Sequence, residues 1–127
     1  ASVCDLFGPT DLTVVRGPRA SEGSEMVAQL LGGPIAEKRA EAKAASPLTY
    51  VSKGDAPFFI AHGADDDLVL PDNSIRLHQS LRRNRVPSAL LIVRKAKHGF
   101  TPTSVPPQGQ IYLQALAFFN STLKGKR

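Results

Sequence analysis

Three short apolar runs, Val3 to Phe7, Phe58 to Ala61 and Ala89 to Val93, constrain the fold of this chain more than any other feature. Each has the length of a β-strand, and each is continuous. A strand with one wet face alternates apolar and polar residues, whereas a strand covered on both faces, as in a parallel sheet, reads as an unbroken apolar run. Helical patterns fill the gaps. "SEMVAQLLGG" offers Ser24 as an N-cap and Gly32 as a stop, and "PIAEKRAEAKAA" places Pro34 in a first turn ahead of strong helix formers. From Pro71, "PDNSIRLHQSLRRNR" sets Ile75, Leu77, His78 and Leu81 at near-helical spacing, and Val86-Pro87 closes it. The last helix, from about Pro107 to Leu123, gathers Ile111, Ala115, Phe118 and Phe119 on one side. Strands separated by helical excursions imply an α/β fold of about three parallel strands with flanking helices and right-handed crossovers. The 127 residues fit a single domain, with residues 12–47 forming a helical excursion between the first two strands.

Composition narrows the partners. Sixteen Lys and Arg against eleven Asp and Glu give a net charge of +5, but the cations are scattered through Arg82, Arg83, Arg85, Lys95, Lys97 and the tail "LKGKR". With two Tyr and no Trp there is little to stack on bases, so the excess reads as a solvated basic surface rather than a nucleic-acid interface. No apolar segment is long enough to span a bilayer as a helix. Cys4 is the only cysteine, which excludes an intrachain disulfide and a multi-thiolate metal site and suits a buried apolar role.

In open α/β sheets the chemistry gathers beyond the carboxyl ends of the strands. The second run ends in "HGADDDLVLPDNS" and the third in "KAKHGF". A carboxylate at one strand end and an imidazole at the next, Asp66 and His98, lie 32 residues apart in sequence and are placed to meet in space. Such a pair serves nucleophilic catalysis, because the carboxylate fixes the tautomer of the imidazole and stabilises the cation formed when it takes a proton. Gly99 lets the loop bend sharply and present the ring. The bland alternatives are a turn for His98-Gly99, and a solvated loop, an N-cap or a weak cation site for the three aspartates.

The segment from "ASPLTYVSKGD" to "KAKHGF" resembles the C-terminal half of α/β-hydrolases, above all the esterase and lipase group with its feruloyl-esterase-like members, and is related to prolyl-oligopeptidase-type hydrolases. "CDLFGPTDL" and "LLGGP" extend the likeness over nearly the whole chain. Four motifs occur in the family's order: "SPL.YV", a Pro-led apolar strand, His-Gly with an Asp-containing loop ending in Val, and "HGF". The family's spacing of His-Gly, two residues, Asp, two residues, Val puts the triad acid at Asp66, ahead of Asp67 and Asp65, with Val69 closing the pattern. The chain departs from the commoner spacing in carrying Leu70 between Val69 and Pro71. His98 falls on the general base. His62 reads as a local packing or hydrogen-bonding residue, and His78 as a surface or half-buried one. Gly8, Pro9 and Thr10 are expected to shape the substrate pocket, with Phe100 on its wall.

The resemblance implies a serine hydrolase acting on a small-molecule ester through an acyl-enzyme, with no cofactor and no metal. Such an enzyme needs a serine on a G-x-S-x-G turn, and none occurs in these residues; Ser2, Ser24, Ser74 and Ser104 do not lie between glycines. The nucleophile and the oxyanion hole are therefore expected before Ala1, and the chain alone is expected to be inactive. Without a neighbouring strand, "SVCDLF" would be an exposed apolar edge able to drive self-association. Two alternatives are a peptidase of the prolyl-oligopeptidase type and a non-catalytic hydrolase-like binding module.

Overall fold

The computed structural model of the chain describes residues 1–124, so the last three residues of the basic tail lie outside the described residues. Three strands, β1 (Val3–Leu6), β2 (Phe58–Gly63) and β3 (Ser88–Val93), form one parallel sheet in the order β1-β2-β3. Between β1 and β2 run helices α1 (Ala20–Leu31) and α2 (Arg39–Ala44) and a 3₁₀ turn at Pro47–Tyr50; α3 (Asp72–Arg83) joins β2 to β3, and α4 (Gln108–Leu123) follows β3.

The central strand sets the plan. Successive side chains of a strand point to opposite faces, and β2 is apolar on both. On one face Phe59 and Ala61 pack with Val93, Ala96 and Phe100 under Ile111 and Ala115 of α4. On the other, Ile60 packs with Leu77 and Leu81 of α3 and with Val86. Continuous burial holds for β2, where every residue after Phe58 is buried, but not for the flanking strands. All four residues of β1 are half-buried, and in β3 Ala89 and Ile92 are exposed, because these two strands form the edges of the sheet.

Two helices depart from their expected positions. Helix α1 begins at Ala20, so Ser24 lies in its interior and caps nothing. The earlier start is held by Arg19, whose guanidinium grips Glu22 one turn on and reaches Asp67 at 3.5 Å, while its N–H donates to the Asp67 carbonyl. Gly32 ends the helix in the left-handed conformation at φ 75°, as its sequence position implies. The buried stripe of α3 is Ser74, Leu77 and Leu81; Ile75 and His78 are half-buried to one side of it. Pro34 falls in a turn ahead of α2.

The carboxyl ends of β2 and β3 are joined by backbone bonds that continue past the strands. Ala64 N–H donates to the Val93 carbonyl at 2.8 Å, and Asp65 N–H to the Ala96 carbonyl at 2.9 Å. This close approach requires Gly63: a Cβ there would collide with the carbonyl oxygens of Lys97 and Ala96. Gly99 is required for the opposite reason, since its surroundings are open but its φ is +112°.

Gly63→Ala must move backbone rather than a pliant side chain. It is expected to cost about 1–3 kcal/mol or more, measured by urea unfolding against wild type; an unchanged midpoint would contradict the packing described. A second expectation concerns pH. His78, on α3, faces the start of β3, with its Nδ1 2.8 Å from the Ser88 hydroxyl. Burial, and then the charge of Arg82, hold its pKa below the ordinary histidine range. The folded state thus binds fewer protons at this group than the unfolded chain, so its contribution to stability is lost as pH falls through the ordinary histidine range and regained as pH rises. Replacing His78 by Gln should flatten the difference in unfolding midpoint between pH 5 and pH 8; an unaltered difference would refute this.

Candidate functional site

The loops that leave β2 and β3 bring together the residues singled out in the sequence. Asp66 lies four residues beyond His62 in a tight turn, and its side chain is fully buried. One carboxylate oxygen, Oδ1, accepts the N–H groups of Leu68 at 3.0 Å and Val69 at 2.9 Å. The other, Oδ2, lies 2.9 Å from His98 Nδ1. The carboxylate is therefore held from below by its own loop and offers its remaining oxygen to the base. Of the three consecutive aspartates only Asp66 faces His98. Asp65 is exposed and contributes its backbone to the loop junction. Asp67 turns to Lys97 and Arg19; although burial by itself would raise its pKa, these two cations lower it.

His98 is the open member of the pair. Its side chain is 32% exposed. Nδ1 faces the carboxylate, and Nε2 makes no hydrogen bond among the described residues. Edge-to-face packing against Phe7, with ring centroids 4.9 Å apart, fixes the plane of the imidazole. Phe7 in turn packs on Phe100 at 5.1 Å and adopts a positive φ of 50°, uncommon for a bulky residue. Sequence reasoning passed over Phe7, which ends an apolar run and carries no polar atom to mark it.

A cavity of about 190 Å³ opens beside His98, with an apolar wall that includes Leu12, Val27 and Leu68 and a rim that includes Arg76. Pro9 borders it; Gly8, Thr10 and Phe100 do not. Gly8 donates its N–H to Asp5 Oδ1 at 3.0 Å, Thr10 is buried against Asn73 at the start of α3, and Phe100 belongs to the core under α4. Asp11, also at the cavity, pairs with Arg76 at 3.0 Å; burial opposes its ionisation, but bonds from Thr13 and Arg76 prevail and lower its pKa.

Two buried polar groups complete the surroundings. His62 is the next residue after Ile60 on the α3 face of β2, so its ring meets the first turn of α3. It has no exposure; Nδ1 lies 2.6 Å from Ser74 Oγ, and Nε2 lies 2.7 Å from the Val69 carbonyl and 3.2 Å from Asp66 Oδ2. Ser74, His62 and Asp66 thus form a sequence of contacts like that of a nucleophile, base and acid, but Ser74 is itself fully buried and no substrate can reach it. Ser104 is buried too and accepts the Thr101 N–H at 2.9 Å, bracing the loop after His98. Asp5, a polar residue inside the first apolar run, lies near His62. Burial raises its pKa against the opposing effects of the Gly8 N–H and His62.

Known proteins share this sequence and fold. The chain superposes on a truncated carbohydrate esterase from gut microbiota with a TM-score of 0.75 over 95% of its own length, at 22% identity. It superposes on a puromycin-hydrolyzing peptidase of Mycobacterium tuberculosis with a TM-score of 0.70 over 98%, at 25% identity. Among curated sequences it is 40% identical over 62 residues, 47% of the chain, to the non-reducing polyketide synthase prhL of Penicillium brasilianum. The chain spans 42%, 19% and 2% of the lengths of these three proteins. The sequence profile of BD-FAE matches residues 1–81, more than half of the chain. With three parallel strands, flanking helices and this match, the chain belongs to the BD-FAE family, an esterase-type family of α/β-hydrolases.

Proposed function

We propose that the chain carries the acid and the general base of a serine hydrolase that cleaves carboxylic esters through an acyl-enzyme. Asp66 is the acid and His98 the base; the serine and the oxyanion-hole donors come from sequence outside these 127 residues. The observation that carries this reading is the 2.9 Å contact from the sealed Asp66 carboxylate to His98 Nδ1 beside a cavity. The carboxylate has no proton to give and so accepts from Nδ1–H, which leaves the lone pair of Nε2 to take the serine proton. As the serine oxygen bonds to the acyl carbon, the imidazole becomes a cation that Asp66 stabilises. It then returns the proton to the departing alkoxide as the ester C–O bond breaks. In the second half, water replaces the alcohol: His98 takes a proton from the water as its oxygen bonds to the acyl carbon, then returns that proton to the serine oxygen as the acyl–serine bond breaks and the carboxylic acid leaves. The apolar wall of the cavity accommodates the carbon skeleton of one of the two substrate groups.

A second reading draws on the 40% identity to a polyketide synthase: the same pair could serve an acyl thioester in place of an oxygen ester. The chemistry of attack is shared, and a thiolate departs without needing its proton as urgently as an alkoxide does.

The test is kinetic and uses the full-length protein with a short p-nitrophenyl ester and an acyl thioester of the same chain length. Asp66→Asn is expected to lower kcat by on the order of 10⁴-fold and His98→Ala by on the order of 10⁶-fold, by analogy with other serine hydrolases. Unchanged rates in both variants would remove the assignment, and a higher kcat/KM for the thioester would favour the second reading.

A further inference from the structure

Ser74 and His62 are both fully buried, and the mechanism above uses neither. Their hydrogen bonding determines where the protons lie. Nε2 of His62 faces two acceptors, the Val69 carbonyl at 2.7 Å and, off the axis of that bond, Asp66 Oδ2 at 3.2 Å, so Nε2 carries hydrogen. Nδ1 faces only the Ser74 hydroxyl, at 2.6 Å, and that hydroxyl has no other partner among the described residues. A buried hydroxyl hydrogen without an acceptor is strongly disfavoured, so Ser74 donates to Nδ1. The ring is then the neutral Nε2–H tautomer.

We propose that His62 is a positioning residue for the acid, locked in this tautomer by Ser74 so that its Nε2–H clamps the loop that holds Asp66. The proposal rests on the reading of Asp66 and His98 as acid and base. The clamp acts through a short path. His62 fixes the carbonyl of Val69, the Val69 N–H grips Asp66 Oδ1 at 2.9 Å, and Asp66 Oδ2 meets His98 Nδ1 at 2.9 Å. The same Nε2–H lies beside Oδ2, where its partial positive charge holds the carboxylate in place without donating a full bond. His62 thereby couples the first turn of α3, which carries Ser74, to the orientation of the base. Its position on β2 makes this possible, since it follows Ile60 on the face that packs against α3.

The experiment uses the full-length protein with ¹⁵N-labelled imidazoles and the p-nitrophenyl ester assay. At neutral pH the His62 resonances are expected to show an unprotonated, hydrogen-bonded Nδ1 and a protonated Nε2; an Nδ1–H tautomer or an imidazolium would overturn the proposal. His62→Leu keeps an apolar filling but no donor, and is expected to lower kcat by about 100-fold with KM unchanged. His62→Gln, whose amide N–H can stand where Nε2–H stands, is expected to recover most of that loss. A merely structural role would make activity follow the unfolding temperature of each variant, whereas a positioning role makes it follow the N–H donor. Equal losses in the Leu and Gln variants, or none in either, would refute the clamp. Should His62→Leu fail to fold, Ser74→Ala supplies the comparison: loss of the Nε2–H tautomer together with a fall in kcat supports the clamp, and retention of both overturns it. If His98→Ala leaves turnover unchanged, the acid–base reading itself fails; if His98→Ala abolishes turnover and His62→Leu does not reduce it, only the clamp fails.

Discussion

Two backbone hydrogen bonds beyond the ends of β2 and β3, from Ala64 to Val93 and from Asp65 to Ala96, determine where the candidate acid and base meet. They lock together the loops that carry Asp66 and His98, so the 2.9 Å contact between the side chains follows from the main chain. The junction exists because Gly63 has no Cβ to strike the carbonyls of Lys97 and Ala96. A site built on paired strands is held more tightly than one built on free loops. The acid is also bound by the N–H groups of Leu68 and Val69, and Phe7 orients the base.

Much of the fold was legible because periodicity survives in a short chain. The apolar runs lie at β1, β2 and β3, and the helix from Pro107 buries Ile111 and Ala115 with Phe118 half-buried behind them. Boundaries that depend on distant partners were not legible. Helix α1 starts four residues before Ser24 because Arg19 is tied to Asp67, a residue distant in sequence. The buried face of α3 is rotated towards Ser74, and a serine reads as a core residue only once His62 is known to lie opposite it.

The same distinction applies to the site. Residue type at the two strand ends pointed to a carboxylate and an imidazole, the family resemblance chose Asp66 from the three aspartates and His98 as the base, and the fold brings the two together at a cavity. Residues that act by shape or by buried bonding left weaker traces. Phe7 has no chemistry of its own, Asp5 shows only as an acid within an apolar run, and His62 read as a local packing residue. Thr10 and Phe100 were expected at the pocket by their place in the loops, yet Thr10 turns to Asn73 and Phe100 into the core, since backbone proximity does not decide where a side chain points.

The central claim is that His98 presents Nε2 to a serine contributed by sequence outside this chain, with Asp66 behind it. Its most direct test is a crystal structure of the full-length protein after reaction with a serine-directed phosphonate. The account predicts a covalent adduct on a serine whose Oγ lies about 2.6–3.2 Å from Nε2 of His98, with Asp66 still bonded to Nδ1. An adduct on a serine remote from His98, or a structure in which Asp66 and His98 point apart, would contradict it.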